Sequence, residues 1–155
     1  LICVGKLNAK YFAEGVAEYQ KRLAAFASFR IVELPEYRLP DNPNETQIAQ
    51  GLAREAEAIR KAIPKGSLLV TLDERGKDLT TVEFAKKLSA WQDSGESVAF
   101  VIGGTDGIDP ALKQESRMMI RLSSMTLPHA LARVILSEQI YRAWSILNNH
   151  PYHRA

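Results

Sequence analysis

Residues 67–102 read SLLVTLDERGKDLTTVEFAKKLSAWQDSGESVAFVI, and the fold class follows from them. SLLVTLD (67–73) is apolar on both faces until its end, and SVAFVI (97–102) is apolar throughout. Strands buried on both sides of a parallel sheet read this way, because neither face meets water. Between them Val82, Phe84, Leu88 and Trp91 recur at helical spacing over Thr80–Gln92. Strand, helix and strand of these lengths make a parallel crossover unit.

The same alternation extends both ways. Toward the N-terminus lie a short apolar strand (Leu1–Gly5), a helix (Lys10–Phe26) and the strand FRIVEL (Phe29–Leu34). Pro35–Asn44 holds three prolines and reads as a loop, and Thr46–Ile63 as a helix closed by Pro64-Lys65-Gly66. Toward the C-terminus, Asp109 as N-cap and Pro110 in the first turn open a helix to about Arg117. Met118–Leu122 is the last strand, and Pro128 opens a helix from His129 to about Leu147. The expectation is one α/β domain over residues 1–155, a mostly parallel sheet with helices on both faces.

Composition narrows the class. With 46% hydrophobic and 25% charged residues this is an ordinary globular chain, and no apolar run is long enough to cross a membrane. A cytoplasmic protein with no membrane partner is expected. The formal charge of +2 is only weakly suggestive of an anionic partner. No run of five basic residues occurs, so any nucleic-acid surface must be assembled by folding or oligomerisation. The lone cysteine, Cys3, sits in an apolar run and reads as a small core residue.

In parallel α/β sheets ligands bind outside the carboxyl ends of the strands. Three segments meet that condition: Leu72–Lys77, Gly103–Gly107 and Leu122–Leu127. IGGTDGID is not the dinucleotide fingerprint, and no phosphate-cradling P-loop is present. On spacing alone, Gly103-Gly104 reads better as a tight turn than as a ligand cradle. His129, His150 and His153 are the only histidines, and no Cys or carboxylate cluster accompanies them, so no metal is expected. A nucleophile elbow is missing too, which disfavours covalent hydrolysis.

The helix His129–Leu147 carries apolar residues on more than one face, since Leu136, Ile140 and Leu147 lie off the stripe of Leu131, Val134 and Ile135. It needs two surfaces to pack on. A second subunit and a buried helix of a monomer account for this equally well. Glu138 and Arg142 are spaced to pair along it. The tail beyond it, by itself, reads as a frayed terminus.

The segments LDERGK, FVIGGTDG, LSSMTLPHALARVILSEQIYRAWSI and NNHPYHRA closely resemble the bacterial ribosomal RNA large subunit methyltransferase H family, of the SPOUT class. The similarity runs essentially the whole length, and the order of motifs in the last third is its most specific part. The resemblance implies an α/β domain with a C-terminal trefoil knot, which no periodicity reveals. It implies a homodimer that uses S-adenosyl-L-methionine to methylate N3 of a pseudouridine in 23S rRNA, within the assembled ribosome. Carried over residue by residue, cofactor contacts fall on Leu72, Gly103, Leu122, Ser123, Ser124, Met125, Thr126 and Leu127. Ser124 and Met125 stand where relatives often have Ala and Leu, which a loop binding through its backbone tolerates.

The sulfonium methyl is already activated, so such a site has to position the acceptor and manage one proton. N3 of a uracil-like ring attacks well only once deprotonated. That calls for a general base, or for positive charge that stabilises the anionic ring. Tyr152, His153 and Arg154 are expected to reach across the dimer into the partner's cofactor pocket. Tyr152 would stack on an unpaired base, His153 would handle the proton, and Arg154 would bind RNA or the developing anion. Arg142 joins this catalytic set. Lys77 and Arg133 are expected to contribute phosphate contacts. The alternatives are a methyltransferase of the same class acting on another RNA, and a cofactor- or RNA-binding module without catalysis.

Overall fold

The computed structural model describes residues 1–154. Five parallel strands are β1 (Ile2–Val4), β2 (Val32–Leu34), β3 (Leu68–Asp78), β4 (Val98–Ile102) and β5 (Met118–Arg121). They lie in the order β2-β1-β4-β3-β5. The helices are α1 (Lys10–Leu23), α2 (Glu45–Ala62), α3 (Thr81–Asp93), α4 (Pro110–Glu115) and α5 (His129–Leu147).

Alternate strand residues enter two separate cores. Cys3, Leu68, Val70, Phe100, Ile102 and Ile120 pack in one core with Leu23 of α1, Leu88 of α3 and Leu136 of α5. Ile2, Val4, Leu69, Ala99 and Val101 pack in the other with Ile59 of α2 and Leu112 of α4. Two faces buried at once explain why SLLVTLD and SVAFVI carry no polar alternation. Cys3 is fully buried, and burial pushes its thiol up to about 11, so it stays a neutral core group.

Local chemistry sets the ends of several elements. Asn44 and Gln47 form a reciprocal capping box on α2, and Thr80 and Glu83 form another on α3. Asp109 holds the N-cap position of α4, but its side chain makes no capping bond, and α4 ends at Glu115 rather than Arg117. Pro110, with its fixed φ, sets that start instead. α1 stops at Leu23, where Phe26 and Ala27 both donate to the Leu23 carbonyl in a tight turn.

β3 departs most from expectation. It does not end at Asp73 but continues to Asp78 along β5, with a register shift that sets both Leu72 and Lys77 against Ile120. Gly76 permits this close approach, because a Cβ there would lie 2.5 Å from the Ile120 carbonyl carbon. Gly76→Ala is therefore expected to cost about 1–3 kcal/mol as an overpacking change. A urea midpoint equal to that of the wild type would show that the pairing yields freely.

The two apolar sides of α5 are both used inside the chain, against α1 and against α3. Leu131, Val134, Ile135 and Leu147 nevertheless remain only half-buried within the chain. Arg133 also departs from expectation. It is 1% exposed, donates to Glu33 at 2.7 Å, to the Gly5 carbonyl at 2.7 Å and to the Val4 carbonyl at 3.3 Å, and is thus no phosphate contact. None of the helices among the described residues is long and apolar enough to cross a membrane.

Candidate functional site

A cleft of about 480 Å³ opens at the carboxyl ends of β4 and β5, beside residues 72–75 in the middle of β3. Leu72, Ile102, Ile120, Leu122 and Leu127 give it apolar walls, and the loops 103–107 and 122–127 bring backbone polar groups to it. Its size falls in the range of small-molecule sites, roughly 300–1,000 Å³. Of the eight residues expected to touch a cofactor, Leu72, Gly103, Leu122, Ser123, Met125, Thr126 and Leu127 all line it. Ser124 does not line it and is exposed.

Each wall has its own device. Ser123 Oγ accepts from the Met125 N–H at 2.9 Å, which folds the 122–127 loop back on itself and leaves Met125 77% exposed at the cleft mouth. The 103–107 segment is a turn closed by the Gly107 N–H on the Gly104 carbonyl at 3.1 Å, with Gly107 at φ +84°. Gly103 is required for packing, since a Cβ would lie 2.8 Å from the Ile108 side chain and overlap the Gly107 carbonyl. The segment is thus the tight turn its spacing predicts, and it also lines the cleft.

Asp73 and Lys113 form an ion pair in the cleft, 2.9 Å apart, and Glu74, Arg75, Asp106 and Arg121 also line it. Burial pushes the Asp73 carboxyl up, but hydrogen bonds from the Arg75 N–H and Lys113 outweigh it and hold Asp73 below its ordinary value. His129, at the start of α5, also lines the cleft, and its Nδ1 is buried without a hydrogen-bond partner. An orphaned ring nitrogen of this kind is costly in an empty fold, and suits a site that a polar ligand completes.

The four expected catalytic residues lie elsewhere. Arg142, Tyr152, His153 and Arg154 do not line the cleft of their own chain. Tyr152 is packed: its ring meets Tyr141 edge-on at 4.6 Å, and the Arg142 guanidinium lies 4.7 Å over it. Its hydroxyl donates to Glu138 at 3.1 Å and lies 3.4 Å from the Tyr19 hydroxyl. Burial, Tyr19 and Glu138 together raise its pKa well above the ordinary tyrosine value. Arg142 pairs with Glu138 as its spacing foretold, at 2.7 Å from Nε. Arg142 Nη1 also lies 3.3 Å from His153 Nδ1. A guanidinium can only donate, so Nδ1 accepts and the ring proton sits on Nε2. Arg154 is exposed.

Tyr19 was missed as part of this cluster, and Glu138 was expected to pair with Arg142 but not to hold Tyr152. Tyr19 fell on the apolar stripe of α1, and nothing in its spacing tells a core tyrosine from one that anchors a tail.

Comparison with known proteins agrees over the full length. The family described as "Predicted SPOUT methyltransferase" matches residues 1–153. Proteins named "Ribosomal RNA large subunit methyltransferase H" are similar to the chain. That of Ralstonia pickettii is 50% identical over 154 residues, 99% of this chain and 97% of its own length. That of Neisseria meningitidis is likewise 50% identical over 154 residues, with the same coverage. That of Burkholderia ambifaria is 47% identical over 156 residues, all of this chain and 97% of its own.

Proposed function

The chain belongs to the SPOUT methyltransferase family, and from that membership we propose that it methylates ribosomal RNA with S-adenosyl-L-methionine as donor. The acceptor is N3 of a pseudouridine in 23S rRNA, presented by the assembled ribosome. One observation carries the reading: in a chain half identical to rRNA methyltransferases over its whole length, the strand-end segments line a single cleft.

The cleft fits the donor. Its apolar walls suit the adenine, the backbone of the 103–107 and 122–127 loops suits the polar atoms, and the unpaired His129 Nδ1 awaits a partner. When bound, the donor supplies a methyl on sulfonium. The C-terminal half carries the trefoil knot of its family, which packs these loops against one another.

The acceptor side is the tail. Because the tail is anchored away from its own cleft, it serves the cleft of a second copy in a homodimer. Tyr152 is engaged with Tyr141, Arg142 and Glu138, so it acts as the anchor rather than as a stacking platform. With Nδ1 turned to Arg142, His153 presents Nε2–H, a donor aimed at a uracil carbonyl oxygen as the ring becomes anionic. Arg154 adds fixed positive charge to the same anion or to an RNA phosphate. Proton removal through His153 requires Nδ1 to leave Arg142 first. With one small domain, specificity rests on docking to a shaped surface more than on base-by-base reading.

The experiment is methyl transfer from labelled donor to intact ribosomes lacking the modification, beside separate subunits and naked 23S rRNA. Incorporation into intact ribosomes, lost when the acceptor is uridine, is expected. Equal transfer to naked rRNA would overturn the whole-ribosome substrate. Donor binding without transfer to any RNA would favour a binding module instead.

A further inference from the structure

We propose that Glu36, in the connection between β2 and α2, is a positioning residue for the turn Gly103–Gly107, so that the N-terminal half of the chain shapes the donor cradle. This rests on the reading of the cleft as the donor site.

Glu36 is outside the cleft and behind its wall. It lines a second recess of about 390 Å³, and the two cavities share Thr105 and Asp106 as a partition. Across that partition Glu36 Oε1 accepts the Thr105 N–H at 2.8 Å. The same oxygen lies 2.8 Å from where a Cβ on Gly104 would stand, with Val4 Cγ1 at 3.2 Å from that point. The carboxylate is therefore both bonded to the turn and packed on it, and Gly104 is the residue that lets it approach. Hydrogen bonds from Thr105 hold the Glu36 carboxyl below its ordinary value, as expected for an acceptor that stays ionised.

Glu36 is itself held. The next residue, Tyr37, donates its N–H to Glu55 of α2 at 2.8 Å. Tyr37 and Leu39 close over Gly51 of that helix, where a Cβ would lie 3.2 and 3.0 Å from their side chains. A continuous set of contacts thus runs from α2 through the Pro35–Asn44 connection to the Thr105 amide. The turn itself is built from Gly103, Gly104 and Gly107 and offers few side chains for packing. Without an external brace, a ligand would have to order it on binding and would lose affinity accordingly. A charge-assisted bond to its central amide provides that brace.

The test compares donor binding by calorimetry in the wild-type chain and in Glu36→Ala, Glu36→Asp and Glu36→Gln. Gln presents an amide oxygen at the same reach, whereas Asp keeps the charge one methylene too short. Glu36→Ala and Glu36→Asp are expected to weaken S-adenosyl-L-methionine binding about tenfold, and Glu36→Gln less than about threefold. Thermal unfolding without donor should change little, because Glu36 is exposed. Should Glu36→Ala fail to fold, the Asp and Gln pair still decides, since both keep a polar side chain at the surface. Wild-type affinity in Glu36→Asp overturns the proposal alone. Failure of the wild-type chain to bind donor overturns the reading of the cleft, and this proposal with it.

Discussion

His153→Ala is expected to lower the single-turnover rate of methyl transfer about 10²–10³-fold, the usual cost of removing one donor to a developing oxyanion. Donor affinity should not change, because the role proposed for His153 is toward the acceptor ring and not toward the donor. The informative partner is His153→Gln. Its amide N–H can stand where Nε2–H stands, whereas it has no basic nitrogen. Partial recovery in His153→Gln supports donation from Nε2, the role left to it by Arg142 at 3.3 Å from Nδ1. Equal loss in both variants supports proton transfer, and an unchanged rate removes His153 from the mechanism. The dimeric arrangement has its own test. Arg154→Ala and a cleft variant such as Gly103→Val should each be inactive, yet regain about a quarter of wild-type activity when co-assembled. Half the dimers are then mixed, and each restores one of two sites. No recovery on mixing would confine each tail to its own chain.

Glu33→Ala is expected to cost about 3 kcal/mol, near the lower end for breaking a buried ion pair. Arg133 is 1% exposed, and Glu33 is its only carboxylate partner among the described residues, at 2.7 Å. Removing Glu33 strands a guanidinium in the fold with only the Val4 and Gly5 carbonyls for compensation. Its Nε is already buried without a partner. The 42% exposure of the Glu33 side chain admits water and keeps the loss below the upper end of the range. At this chain length the shift in Tm is about 6–12 °C. Glu33 also accepts the Leu7 N–H at 3.2 Å, so the loop after β1 should loosen and its amides exchange faster. A Tm within a degree of wild type would mean that water replaces the carboxylate at little cost.

Much of the fold was legible because it is written in periods. Residues two apart share a sheet face, and residues three or four apart share a helix face. Ser67–Asp73 and Ser97–Ile102 therefore declared themselves as doubly covered strands, and α5 emerged at its observed bounds, His129–Leu147. The sheet rule then pointed to the loops after the strands, and the cleft is lined by residues of all three segments. Failures occurred where distant backbones meet. The extension of β3 to Asp78 depends on Gly76 lying against Ile120, and a window around Gly76 contains no trace of Ile120. The two apolar sides of α5 were ambiguous for the same reason: α1 and α3 pack on it, and that too depends on residues distant in sequence.

The sequence by itself determined the elements, the two-faced sheet, the three strand-end segments and the family resemblance carried by the last third of the chain. Only the tertiary structure decided which side chains meet. It put Arg133 inside, bonded to a carboxylate 100 residues away. It anchored Tyr152 away from the cleft, and it brought Glu36 to an amide 69 residues distant. Local pattern encodes burial, because burial depends on one residue and the face it occupies. A pairing depends on two residues and on every element that orients them, and no single stretch of chain contains both.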